Sequence, residues 1–366
     1  MSGWPIDIAP SGCPSLTQSP YMHTGSALPQ APSAPTLDPA ARSKGEIDVS
    51  DIRRAREGVV ALVGSSPVRR YPLLDELVGY DVRVVVKHDN HLPVNTFKVR
   101  NACAALLRLD AAERARGVIA ASTGNHGQGL AWAGQQLGIP VTVCVPVGNN
   151  PEKNATMRSL GARLVERGAS YDDCAAECAS LASAEGLTLV HSTNNAGVLA
   201  GAGTLAMEFL EQAPDLEALV LALGGGSQSV GAIVARDTMK PSLEIYAVQS
   251  DAARAQHDAW HDGRARRGEP ANTFAEGIAC GSTYDFTFDT LRAGLTDFVL
   301  VRDAEIAQGV RDLIRITHNL PEGAGATGIA GVRALAPRLA GKTVGVVLCG
   351  GNMDTAVLRR ILNGEM

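Results

Sequence analysis

Aromatic residues are scarce, at 4% of the 366 residues, so Ala and Gly carry much of the packing and favour close helix–sheet contact. Lysine is scarcer still: six stand against a large excess of arginine. Long apolar runs are missing. Those present are strand-length, which excludes a transmembrane helix. The first residues lack the basic, apolar, small-residue order of a secretory signal, so a cytoplasmic protein is expected. Basic stripes are also missing. With a net charge of −5, nucleic acid is not an expected partner. The seven cysteines are scattered and odd in number. Cys174 and Cys178 are one helical turn apart but have no His or Cys nearby, so no metal site is expected.

What is present is an apolar content of 45%, enough for a sizeable core in two domains or one large α/β unit. Residues 1 to 45 are rich in Pro, Ser, Gly and Ala without an apolar period, and read as a mobile arm. The body begins near Ile47–Ile52, where Ser50 is placed to cap a helix through Val59–Leu62. From Val82 onward β-rich runs alternate with Ala-rich stretches. The strand candidates are 82–87, 118–121, 141–145, 163–165, 188–190, 218–223, 244–248, 298–301 and 343–348. This alternation predicts parallel α/β layers: a mostly parallel sheet architecture flanked by helices. No internal repeat is visible.

Lys98 follows one of these strands, in Asn95-Thr96-Phe97-Lys98-Val99-Arg100-Asn101, at the expected start of a helix. Apolar neighbours make its amine easier to deprotonate, and a neutral amine is what a Schiff base needs. By itself the segment reads more readily as a surface lysine. Four loops change that balance. Ser122-Thr123-Gly124-Asn125-His126 links a strand to a helix predicted over Leu130–Leu137, and offers N–H groups and hydroxyls to an anion or serves as a plain N-cap. Gly224-Gly225-Gly226-Ser227-Gln228 lets N–H groups converge on one phosphate ahead of a helix near Val230. It lacks the spacing of nucleotide loops. Cys349-Gly350-Gly351-Asn352 sets a thiol at a strand end, to meet a ring nitrogen or to be buried. Pro321-Glu322-Gly323 sets a carboxylate at a helix start. All follow strands, where open α/β sheets bind ligands. A lysine, an anion loop, a phosphate loop and a ring partner together match pyridoxal phosphate.

From Ile47 to Asp354 the chain resembles the pyridoxal-phosphate serine/threonine dehydratase family, of the tryptophan-synthase β-like fold. The resemblance is carried by Lys87-His88-Asp89, Thr96-Phe97-Lys98-Val99-Arg100 and Ser122-Thr123-Gly124-Asn125-His126-Gly127-Gln128-Gly129. It continues in Ala200-Gly201-Ala202-Gly203-Thr204, Gly224-Gly225-Gly226, Ala275-Glu276-Gly277 and Cys349-Gly350-Gly351-Asn352. It implies a large cofactor domain over 46–88 and 205–366 and a small carboxylate domain over 89–204. It also implies a homodimer. In this family pattern Lys98 forms the Schiff base, Phe97 packs on the ring and Asn125 bonds the 3′ oxygen. Gly224, Gly225, Gly226, Ser227 and Gln228 would hold the phosphate, and Cys349 the ring nitrogen. Ser122, Thr123, Gly124, Asn125 and His126 would hold the substrate, with Glu322 nearby.

The implied reaction is α,β-elimination from a small β-hydroxy amino acid such as threonine or serine. Lys98 removes the α-proton, and a 2-oxo acid and ammonia result. Asn101, Ser227 and Gln228 depart from the family pattern and leave the substrate open. Gln249 stands where relatives place a cation-binding glutamate. Thr123–Gly127 with Ala131-Trp132-Ala133 also resembles diaminopropionate ammonia-lyases, with Thr123 in place of their aspartate. A β-replacement synthase, a racemase and a cofactor-free binding protein on the same fold are the competing readings.

Overall fold

The computed structural model describes residues 46–366; the arm expected over 1–45 lies outside the described residues. The strands are β1 (Val68–Arg70), β2 (Arg83–Lys87), β3 (Val118–Ala121), β4 (Val141–Val145), β5 (Arg163–Glu166), β6 (Thr188–Leu189), β7 (Ala218–Ala222), β8 (Glu244–Ser250), β9 (Asp297–Val301) and β10 (Thr343–Val347). They form a six-stranded sheet, β1-β2-β10-β7-β8-β9, and a four-stranded sheet, β5-β4-β3-β6. Every pairing is parallel except β1 with β2.

Parallel strands covered by helices on both faces bury every side chain, so they read as unbroken apolar runs and not as alternation. Val84, Val85 and Val86 of β2, and all of β10, are buried accordingly. Each such valine contributes about 2 kcal/mol of burial. β10 is the keystone: it inserts between β2 and β7, pairing Val346 with Val86 on one side and with Val220 on the other.

Three expectations need correction. β1 was not anticipated, because three residues with two exposed arginines make a short edge strand without an apolar signature. The first helix, Val49–Val63, is capped by Asp48 and not by Ser50. The Asp48 carboxylate accepts the N–H groups of Ser50 and Asp51, and Asp51 answers back to the Asp48 N–H. The helices expected from Leu130 and Val230 begin earlier, at Asn125 and Ser227. Glycines hide these first turns from a propensity reading, but here they serve contact. A Cβ on Gly129 would stand 3.0 Å from the Lys98 carbonyl oxygen, so glycine lets the Asn125–Leu137 helix lie on the Lys98 backbone without a shift.

Behind Lys98 lies a fully buried ion network. Arg100 donates to both carboxylate oxygens of Asp89 (2.8 and 3.1 Å) and of Glu208 (3.0 and 3.1 Å). Lys87 donates to Glu208 and to the Ser66 carbonyl. Two cations face two anions, so the charge balances where no water reaches. Burial alone would push the Glu208 carboxyl up, but Arg100 and Lys87 hold it down at about 2. The network ties β2, the Lys98–Leu107 helix and the Ala196–Gln212 helix together.

Candidate active site

Lys98, Cys349 and the 224–226 glycines follow β2, β10 and β7, three adjacent strands of the large sheet. Lys98 is the first residue of its helix. The preceding turn is pinned to the end of β10: Phe97 N–H donates to the Cys349 carbonyl at 2.9 Å, and Thr96 bridges Gly350. The Lys98 amine lies 3.5 Å from the Ser227 hydroxyl and 4.8 Å from the centre of the Phe97 ring. Burial lowers its pKa, and the neighbouring Cys280, Cys349 and Glu322 only partly offset this. The amine is therefore easier to deprotonate than a solvated one.

At the glycine loop the chain turns into the Ser227–Met239 helix with Gly226 at φ +95°, a left-handed backbone that a side chain would strain. A Cβ on Gly225 would stand 2.1 Å from the Thr193 hydroxyl, and one on Gly224 2.4 Å from the Gly277 carbonyl oxygen. Among the described residues, no acceptor meets the backbone N–H groups of 224–229. The Gln228 amide nitrogen and the Ser229 hydroxyl are buried and likewise unpartnered. Six open N–H groups at a helix N-terminus, without side chains in the way, form an anion cradle.

The Ser122–Asn125 turn follows β3, a central strand of the small sheet. The Ser122 hydroxyl accepts from Gly127 N–H (2.9 Å) and Gly124 N–H (3.2 Å), and the Thr123 carbonyl accepts from the Asn149 amide. These bonds shape the turn and leave the Asn125 and His126 N–H groups without an acceptor among the described residues. The His126 ring is buried with Nε2 2.9 Å from the Val190 carbonyl. Burial pushes its pKa down to about 3, so it is neutral. Asn125 donates to Glu322 at 2.6 Å and accepts from Asn352 at 2.8 Å. Burial raises the Glu322 carboxyl to about 7, against the pull of Lys153 and the Asn125 bond. Burial also pushes the Cys349 thiol well up, so it stays protonated.

Every site residue read from the sequence falls on these loops except Glu322, whose turn follows the Asp303–Thr317 helix and not the expected strand. The sequence reading missed others. Cys280 is the largest charge influence on the Lys98 amine after burial. The His191 and Tyr284 rings meet edge-on at 5.5 Å, and His191 accepts the N–H groups of Thr193 and Asn194. Lys153, from the Pro151–Ser159 helix, ion-pairs with Glu276. Its signal was its rarity among so few lysines, just inside a helix that opens with proline. Asn101 is buried with both side-chain polar atoms unpartnered. Gln249 is buried too, and accepts the His257 N–H at 3.3 Å.

The open cradle, the amine beside it and the neutral thiol fit pyridoxal phosphate: a phosphate seat, an aldehyde partner and an uncharged ring-nitrogen partner.

Residues 59–350 match the family described as pyridoxal-phosphate dependent enzymes. The chain is 33% identical over 317 residues to the L-threonine ammonia-lyase of Thermotoga maritima, covering 87% of this chain and 78% of that one. It is 32% identical over 314 residues to an L-threo-3-hydroxyaspartate ammonia-lyase from a Pseudomonas species, covering 86% and 98%. The solved structure of the processed form of threonine deaminase isoform 2 from Solanum lycopersicum superposes with a TM-score of 0.81 at 25% identity, covering 90% of this chain and 98% of that one.

Proposed function

Because the chain belongs to the pyridoxal-phosphate-dependent enzyme family, we propose that it is an ammonia-lyase converting threonine or serine to the 2-oxo acid and ammonia. The observation that carries this reading is the Lys98 amine set 3.5 Å from Ser227, at the mouth of a six-donor anion cradle. In this reading the large sheet centres a cofactor domain and the small sheet a substrate domain, in a cytoplasmic homodimer. No helix among the described residues is long and apolar enough to cross a membrane.

The residues have distinct roles. Gly224–Gly226, Ser227 and Gln228 would hold the phosphate, Cys349 the ring nitrogen, and Phe97 one side of the ring. Asn125 would donate to the 3′ oxygen. When bound, the cofactor supplies an electron sink that acidifies the substrate α-carbon. The neutral Cys349 thiol would meet the ring nitrogen without giving up its proton, which suits elimination.

The Asn125 and His126 N–H groups, with Ser122, Thr123 and Gly124, bind the substrate carboxylate at the positive end of a helix. The Lys98 amine, its pKa lowered by burial, removes the α-proton. The β-hydroxyl then leaves as water, and the released enamine hydrolyses to ammonia and the 2-oxo acid.

A substrate panel tests this. Threonine is expected to yield 2-oxobutanoate and ammonia in equal amounts. A chain that inverts serine, or adds a nucleophile at its β-carbon without releasing ammonia, rules the reading out. The Pseudomonas relative makes 3-hydroxyaspartate the second substrate to try.

Gly225→Ala tests the cradle. The displaced Thr193 contact costs about 1–3 kcal/mol of overpacking, which weakens cofactor binding by about 5- to 150-fold. Fluorescence titration with pyridoxal phosphate reads it; unchanged affinity rejects the cradle.

A further inference from the structure

Lys153 belongs to none of the loops that carry the site, yet it reaches the site from the side. Its stem runs against the Ser122–Asn125 turn, with Cδ 3.2 Å from where a Gly124 Cβ would stand. Its amine donates to Glu276, whose side chain remains 54% exposed while that of Lys153 is only 11% exposed. Lys153, Glu276 and Glu322 line one small cavity of about 20 Å³, enough for a single water.

Glu322 matters because of what it holds. Asn125 donates to it at 2.6 Å, while the other end of the same amide accepts from Asn352, which is itself anchored on the Val94 carbonyl. The amide is clamped at both ends, and one Nδ2 hydrogen is left for a ligand. A carboxylate keeps such a donor about twice as firmly as a neutral acceptor. A protonated Glu322 would loosen the clamp.

We infer that Lys153 is a positioning residue: by setting its charge beside Glu322, it keeps the Asn125 amide turned to present one N–H to the cofactor ring. This rests on the role of Asn125 proposed above.

The groups facing Glu322 are Lys153, Lys98, Glu276, Cys349 and Asn125. Burial pushes the Glu322 carboxyl up, to about 7. Lys153 is the strongest opposing charge, Asn125 and Lys98 assist it, and Glu276 acts with burial. Lys153 and Glu276 therefore pull on Glu322 in opposite directions, although they are bonded to each other. A purely structural pair would not behave so, since losing either half of a structural ion pair has the same sign.

The test is the pH dependence of kcat/KM and of the cofactor absorbance in the holoenzyme. The acid limb follows Glu322 ionisation. In Lys153→Met it is expected to move up by about one pH unit. In Lys153→Arg it stays near the wild-type position, and in Glu276→Gln it moves down. The full chain labelled with ¹³C-glutamate reads Glu322 directly, assigned by the signal lost in Glu322→Gln, and should show the same order. An unmoved Glu322 resonance in Lys153→Met overturns the inference. So does a shift of the same sign in both variants, or a resonance that moves while the absorbance limb does not. A wild type without a cofactor band overturns this and the cofactor reading together; a band that stays unmoved in Lys153→Met overturns this one alone.

Discussion

Lys98→Ala is expected to abolish turnover and the long-wavelength absorbance of bound cofactor together. The amine is asked to do two things: link the cofactor and move the α-proton. Loss of proton transfer alone removes about 10²–10⁴-fold of rate. Loss of the link removes the spectrum regardless of rate. The variant should still fold, because the Lys98 side chain is half-buried and shares no ion pair with the network behind it. Equal far-UV circular dichroism and an unchanged urea midpoint establish that control. A folded variant that keeps either the turnover or the band leaves Lys98 without its assigned role. Phosphate affinity should survive in part, since the 224–229 cradle is untouched.

Glu208→Ala carries the largest expected effect on stability. Glu208 is the acceptor shared by Lys87 and Arg100, all three closed to solvent. Removing it strands two cations around one remaining anion, Asp89. Breaking a buried pair from one side costs about 3–5 kcal/mol, a large part of the 5–15 kcal/mol that holds typical domains folded. Urea unfolding of the variant against the wild type measures it, and a loss below about 1 kcal/mol would contradict the network as drawn.

The sign with pH follows from the depressed carboxyl. Glu208 has its folded pKa near 2 against an ordinary 4.5. Its contribution is present above the unfolded value, and is lost as pH falls from about 4.5 through about 2. Glu208→Gln should flatten that part of the stability curve. The damage should also reach the chemistry, because Arg100 stands two residues from Lys98 on the same first helical turn.

The sequence made the layers legible because buried parallel strands are unbroken apolar runs, as in 82–87 and 343–348. Their ends drifted by a residue or two, where ladder bonds and not side-chain type decide. The loops were legible because three successive glycines, or Ser-Thr-Gly-Asn-His, carry their geometry locally. What stayed hidden was pairing at a distance. Lys153 meets Glu276 across 123 residues, and Lys87 meets Glu208 across 121. Nothing in the neighbourhood of either lysine marks it as buried and paired. Cys280 was passed over for the same reason: its nearness to Lys98 comes from a loop that wraps back to the cleft, not from a motif. The helix cap was misread by two residues because Asp48, Ser50 and Asp51 all suit a helix start, and only the backbone geometry chooses among them.

The central place of β10 has a consequence for how the protein is made. β2 and β7 are both made well before the strand that joins them, Thr343–Val347. Until it arrives, two apolar strands offer open edges, the form most prone to pairing with another chain. The thiol expected to meet the ring nitrogen, and the Cys349 carbonyl that pins the turn before Lys98, are missing in that interval too. A nascent chain therefore lacks part of the cofactor seat until β10 is made, and its window of aggregation risk closes as that seat is completed.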